Sequence, residues 1–192
     1  MLLSGKKVGF ALTGSFCTIA KILPEVQKLV DEGAEVYPII SESVDQFDTR
    51  FGTAEEWKTQ LKQITGKELI STIVEAEPIG PKALLDILVV APCTGNTLSK
   101  IANAVTDTPV TMACKAHLRN QRPLVIAIST NDGLSCNAKN VGLLLNMKNV
   151  YMVPFGQDDP VKKCSSLVAK MDQILPALEE ALEGRQLQPI LQ

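Results

Sequence analysis

The sequence predicts a three-layer α/β/α sandwich around a mainly parallel sheet, and three observations predict it. Short apolar runs rich in branched residues alternate with amphipathic stretches at helical spacing along the 192 residues. The run Leu85-Asp86-Ile87-Leu88-Val89-Val90-Ala91 is apolar at nearly every position, as a strand buried on both faces of a parallel sheet must be. Three of the runs leave through clusters of Gly, Ser, Thr and Asn, the residues of strand-to-helix turns.

The first strand is Lys7 to Leu12, leaving through Thr13-Gly14-Ser15. From Phe16, apolar residues at Ile19, Ala20, Leu23, Val26 and Val30 mark an amphipathic helix stopped by Gly33, with Pro24 expected to bend it or loosen a turn. Glu35 to Ile40 is the second strand, and Pro38 argues against a fully hydrogen-bonded central position for that residue. Strand, helix and strand make a right-handed parallel βαβ unit. Thr53-Ala54-Glu55-Glu56 is a capping box that opens a helix through Trp57, Leu61 and Ile64 to a stop near Gly66. Glu68 to Ala76 alternates weakly, as an edge strand does, and Gly80-Pro81 is expected to start a short helix leading into the central strand. That strand, Leu85 to Ala91, is expected to stop at Pro92, after which Leu98, Ile101 and Ala102 resume at helical spacing. Further on come a helix from Pro109 to Leu118, a buried strand from Pro123 to Ile128 with the exit Ser129-Thr130-Asn131-Asp132-Gly133, and a helix from Ala138 to Met147. Val150 to Val153 is expected to be the last strand. A final amphipathic helix should run from about Ser165 to Leu182, interrupted by Pro176 and ended by Gly184. All this reads as a single domain, with its core over about residues 5 to 160.

Composition narrows the function. With 45% hydrophobic and 21% charged residues and a net charge of −2, the chain has no global basic field to hold nucleic acid or an anionic membrane. No apolar run approaches the length of a membrane span, and the apolar stretch after Lys6-Lys7 is broken by Thr13, Ser15 and Thr18, which argues against a signal peptide. The five cysteines are scattered without a C-x-x-C pair, which fits reduced thiols, and the lone His117 cannot anchor a multi-histidine metal site.

Chemistry is left to the loops. Thr13-Gly14-Ser15, Cys93-Thr94-Gly95-Asn96-Thr97 and Ser129-Thr130-Asn131 each offer hydroxyls or amides near a helix start, where ligands of open α/β sheets bind. Two accounts of each stand: turn residues making a turn, with Thr94 or Asn96 merely capping a helix, or parts of a pocket for a neutral-to-anionic ligand. Neither G-x-G-x-x-G nor G-x-x-x-x-G-K-[ST] is present, so a mononucleotide such as FMN fits better than a dinucleotide. Lys115, Arg119 and Arg122 are either a solvated helix face or a binding point for a dicarboxylate. Cys93 has no cation beside it in sequence and reads as a small lining residue.

Thr13-Gly14-Ser15, Ala91-Pro92-Cys93-Thr94-Gly95-Asn96-Thr97, and Asn140 with Asn146-Met147 resemble the flavoprotein family of cysteine decarboxylases and flavin prenyltransferases. The longer segments APCTGNTLSKIAN and STNDGLSCNAKNVGLLLNMKNVYMVPFGQDDP resemble one branch of it, the B chains of a two-chain synthase of an aromatic dicarboxylate in spore-forming bacteria. The resemblance implies a Rossmann-like fold, trimers or multiples of trimers, and FMN bound at a subunit interface. It also implies a partner, the A subunit, together with a small dicarboxylate substrate and a cytoplasmic place in the mother cell; since this chain lacks a dinucleotide fingerprint, NAD(P) is expected on the A subunit. By the same resemblance Ser15, with Thr97 and the Gly14 amide, holds the FMN phosphate, and Thr13 and Pro92 belong to the same loops. Ser41 lies by the ribityl chain or ring, Cys93, Thr94, Gly95 and Asn96 line the flavin site, and Ser129, Thr130 and Asn131 complete it. No catalytic residue and no metal is assigned. Residues 41 to 91 hold no histidine where decarboxylase members use one, and Ser129-Thr130-Asn131 stands where prenyltransferases carry an Arg-Glu pair.

Overall fold

The computed structural model describes residues 2–192. Five parallel strands, β1 (Lys7–Leu12), β2 (Glu35–Ile40), β3 (Ile87–Cys93), β4 (Leu124–Thr130) and β5 (Val150–Met152), are joined by an antiparallel pair, β6 (Phe155–Asp159) and β7 (Lys163–Ala169). The order is β2-β1-β3-β4-β7-β6, with β5 also on β4. β5 lies along Leu124 to Ile126, and β7 takes over at Ser129 and Thr130. Around the sheet are α1 (Phe16–Asp31), α2 (Glu42–Gln46), α3 (Ala54–Thr65), α4 (Ile73–Ala76), α5 (Gly95–Ala102), α6 (Pro109–Leu118), α7 (Ala138–Leu145) and α8 (Ile174–Leu182). α1 packs with α3 and α8, while α5 packs with α6 and α7, so helices cover both faces. That double cover is why every residue of β3 is buried and why its sequence does not alternate.

Much of the expected order is present. β1 and β2 have the expected limits, and β2 is the edge strand of the sheet, the position that tolerates Pro38. α1 runs unbroken through Pro24. Thr53 closes a capping box with Glu56, and Gly66 ends α3 in the left-handed region at φ 62°.

Six expectations are corrected. β3 does not stop at Pro92 but runs through it to Cys93, because a register shift against β4 between Val90 and Cys93 removes the need for a ladder N–H there. Glu68 to Ala76 is not a strand: only Ile70 bridges Ile39, after which a second capping box, Thr72 with Glu75, opens α4. No helix starts at Gly80-Pro81; a 3-10 turn at Glu77–Ile79 precedes it, and Ala83 takes φ 44°. The strand from Pro123 does not end at Ile128, since Ser129 and Thr130 pair with Val168 and Leu167. Nor is β5 the last strand, and the helix expected from Ser165 begins only at Ile174, which puts Pro176 in its first turn, where a missing N–H is harmless. The hairpin that displaces it turns at Asp159, whose Oδ1 accepts from the backbone N–H groups of Val161 (3.0 Å) and Lys162 (2.9 Å).

The segment after α8 is tied down. The Gln186 side chain donates to the Met152 carbonyl and accepts from its N–H, both at 2.7 Å, so it replaces a neighbouring strand for β5. Phe155 N–H donates to Ile190 O (2.9 Å) and Gln192 N–H to Phe155 O (3.1 Å).

Candidate functional site

All the polar exits gather at the carboxyl edge of the parallel strands, and they divide between the two faces. On the α1 face, Ser15 Oγ lies 2.9 Å from Ser129 Oγ and 3.1 Å from Thr18 Oγ1, and Thr18 Oγ1 lies 3.4 Å from Ser129 Oγ. Ser15 is the cap position of α1, yet its side chain is not bonded to a helix amide, and no acid stands in the first turn. Three hydroxyls and the positive end of a four-turn helix therefore face one point. A Cβ on Gly14 would sit 2.6 Å from Ser43 Oγ, so the β1 and β2 exits touch there, and Ser43 Oγ lies 3.0 Å from the buried Ser41 Oγ. Hydroxyl donors at a helix start are the chemistry that an anion such as a phosphate takes.

The loop between β3 and α5 is built differently. Thr13 Oγ1 donates to Pro92 O (2.6 Å) and accepts from Thr94 N–H (2.9 Å), so Thr13 and Pro92 fasten two exits together inside the protein. Thr94 caps α5, accepting from Thr97 N–H (3.4 Å) and donating to Thr97 Oγ1 (3.2 Å). The partner of Ser15 is thus Ser129, while the Thr97 hydroxyl is engaged by Thr94. Asn96 and Asn131 are exposed. Cys93 is fully buried, and desolvation, with Cys114 nearby, pushes its thiol well above the usual range; Cys114 is pushed up to about 12 by burial. Neither is a nucleophile at neutral pH.

On the α5 face, Thr130 Oγ1 donates to Asp132 Oδ1 (2.5 Å) and Asn137 Nδ2 to Asp132 Oδ2 (2.8 Å). Asn140 Nδ2 donates to Asn137 Oδ1 (2.8 Å) and Asn103 Nδ2 to Asn140 Oδ1 (3.0 Å). This cluster packs on Gly95, where a Cβ would meet Thr130 Oγ1 at 2.5 Å, Asp132 Oδ1 at 2.7 Å and Asn137 Nδ2 at 2.8 Å. Sequence reasoning gave no role to Thr18, Ser43, Asp132 or Asn137. Only Thr18 left a signal, one helical turn after Ser15 in S-x-x-T.

His117 and Arg122 are each held by backbone carbonyls. His117 is buried with its Nε2 2.9 Å from Pro123 O, and since a carbonyl only accepts, that nitrogen carries the proton; burial lowers its pKa to about 4. Arg122 donates to the carbonyls of Ala83 and Leu85 and lies 3.7 Å from Asp86, so it ties down the approach to β3. A cavity of about 290 Å³ lies between α5 and α6, walled by Ile101, Val105, Cys114, Leu118 and Met147 with Lys100 and Lys115 also lining it, and one of about 220 Å³ lies beside α2, where Glu42 follows the β2 exit. Among the described residues no group of three or more His, Cys, Asp or Glu could hold a metal, and no helix is long and apolar enough to cross a membrane.

A family model described as Flavoprotein matches residues 2–181. The B subunit of dipicolinate synthase from Bacillus subtilis (strain 168) is 53% identical over 189 residues, covering 98% of this chain and 94% of the relative. The crystal structure of the B subunit of dipicolinate synthase from Bacillus halodurans C superposes with a TM-score of 0.92 at 49% identity, covering 100% of this chain and 98% of that one. An FMN-dependent cysteine decarboxylase, SpaF, superposes with a TM-score of 0.69 at 16% identity, over 95% of this chain and 99% of that one, a likeness of fold alone.

Proposed function

The chain belongs to the flavoprotein family, and we propose that it is the FMN-binding B subunit of a dipicolinate synthase. With an A subunit it would oxidise a dihydro- or hydroxytetrahydrodipicolinate to dipicolinate during sporulation, in the cytoplasm of the mother cell. The observation that carries this reading is 53% identity to one such subunit over 98% of the chain.

The residues fit FMN. Gly14 and Ser15, with Thr18 and Ser129 beside them, would hold the phosphate at the start of α1, a position free of acids. Ser41 and Ser43 would face the ribityl chain, and the Cys93 to Asn96 loop with Thr130 and Asn131 would line the ring. When bound, the flavin supplies a two-electron acceptor, which aromatisation of the substrate ring requires. NAD(P) is assigned to the A subunit, since this chain lacks the dinucleotide fingerprint. A trimer or a multiple of it, with FMN between copies, completes the proposal. A stand-alone decarboxylase is disfavoured, since the one histidine is buried and held neutral by its surroundings.

The test is a titration of the purified chain with FMN, followed by quenching of flavin fluorescence, with riboflavin as the control that lacks the phosphate. Tight FMN binding that riboflavin does not match is expected. Absence of FMN binding, alone and with the A subunit present, overturns the flavin assignment.

A further inference from the structure

Side chains at successive positions of a strand point to opposite faces, and at the β4 exit this splits the site into two electrostatic halves. Ser129 joins the hydroxyls on α1, while the next residue, Thr130, turns toward Gly95 at the head of α5. On that second side the side-chain hydrogen bonds run as a chain that ends on Asp132. The one proton of Thr130 Oγ1 is given to Asp132, the Asn137 amide gives to Asp132, Asn140 gives to Asn137, and Asn103 gives to Asn140. Asp132 itself meets no cation: among the described residues it is in no ion pair. Asn137 and Asn140 are buried, whereas Thr130 and Asp132 are half-buried, so the two members of the cluster nearest solvent, whose hydroxyl proton is already given away and whose carboxylate has none, present lone pairs and a negative charge. The same carboxylate lies against the first residue of α5, where a phosphate would otherwise be drawn by the helix start.

We propose that Asp132 is a positioning residue that sets the polarity of this half of the site. By drawing the protons of Thr130 and Asn137 to itself it turns the α5 side into a hydrogen-bond acceptor, which selects a planar heterocycle presenting a neutral imide N–H and turns away carboxylates and phosphates. Anions are thereby left to the α1 side. The inference rests on the flavin reading above, in which the heterocycle is the isoalloxazine ring and its imide N3–H is the donor.

The experiment compares FMN with N3-methyl-FMN, which lacks that proton, on the wild-type chain and on Asp132→Asn. Fluorescence titration should show wild type binding N3-methyl-FMN at least about 10-fold more weakly than FMN, the usual loss when a charge-assisted hydrogen bond cannot form. In Asp132→Asn that ratio should fall below about 3-fold. The imide of bound FMN, followed by its absorbance, should lose its proton at higher pH in wild type than in Asp132→Asn, because a neighbouring carboxylate disfavours a second negative charge. A merely structural Asp132 would move neither the ratio nor the titration. Tight FMN binding by wild type with no discrimination against N3-methyl-FMN overturns this inference and leaves the flavin reading standing. Failure of wild type to bind either flavin overturns both, and neither wild-type result depends on the folding of a variant.

Discussion

Ser15 and Ser129 are 114 residues apart in sequence and 2.9 Å apart in space, and that contact decides which side chains can meet a phosphate. Ser15→Asp puts a carboxylate at the same point. Asp is a favoured cap residue and an anion is welcome at a helix start, so the variant should fold at least as stably as wild type. Its FMN affinity should nevertheless drop by about 100-fold or more, since two like charges would share one partly desolvated position; unchanged affinity in the titration would put the phosphate elsewhere. His117 gives a second prediction at this scale. Burial lowers its pKa from about 6.5 in the unfolded chain to about 4 in the fold, so between these values the unfolded state binds the extra proton. The stabilisation is complete above pH 6.5 and is lost as pH falls toward 4, about 2 to 3 kcal/mol between pH 7 and pH 4.5. In His117→Gln, whose amide can still donate to Pro123 O, urea melts at the two pH values should differ by that much less. Both residues show where sequence reading stops. The turn residues at 13–15 and 129–131 announce a site and Thr94 announces a cap, but that Ser15 meets Ser129 follows only from which face each chain leaves the sheet.

Among the elements, the apolar strands and the long capped helices were legible, whereas a one-turn helix and the antiparallel hairpin were not. The Thr53 capping box and Gly66 fix α3 at both ends within the segment itself. The equivalent Thr72 box was hidden because Ile73 and Val74 look like strand residues until Glu75 is seen to accept from Ser71 N–H (2.9 Å) and Thr72 N–H (3.0 Å). β7 was hidden more deeply: Leu167, Val168 and Met171 fall at helical spacing, yet Ser129 and Thr130 offered an unoccupied edge that an antiparallel strand could fill. Its turn signal, Asp159-Pro160, was in plain view. The last residues also act as an element. A Cβ on Gly156 would occupy the place of the Gln192 carbonyl oxygen, so Gly156→Ala must displace the tail from Phe155. The expected outcome is hydrogen exchange about 10-fold faster at the Phe155 and Gln192 amides, with the Met152 amide still protected because Gln186 holds it independently. Exchange equal to wild type at both amides would mean that this pairing does not depend on that glycine.

For the molecule as a whole, the decisive property is that no single segment contains the proposed flavin site. Its parts come from the ends of β1, β2, β3 and β4, so it exists only when the parallel sheet is assembled, and the unfolded chain has nothing with which to hold a flavin phosphate. A ligand that binds only the native state raises its stability by RT ln(1 + [L]/Kd), about 2.7 kcal/mol at a hundredfold excess over Kd, which for a domain of this size is about 5–10 °C in Tm. FMN should therefore shift the thermal unfolding of wild type by that amount, whereas riboflavin should give much less and Ser15→Asp should show no shift. The same linkage tests where the flavin sits. If FMN lies between copies of the chain, as proposed, ligand binding and association draw on one equilibrium: added FMN must favour the oligomer in sedimentation, and the Tm shift must grow with protein concentration. If it lies wholly within one chain, the shift depends on free FMN alone. A shift indifferent to protein concentration, with no change in sedimentation, would keep the phosphate site at α1 and remove the neighbouring copy from it.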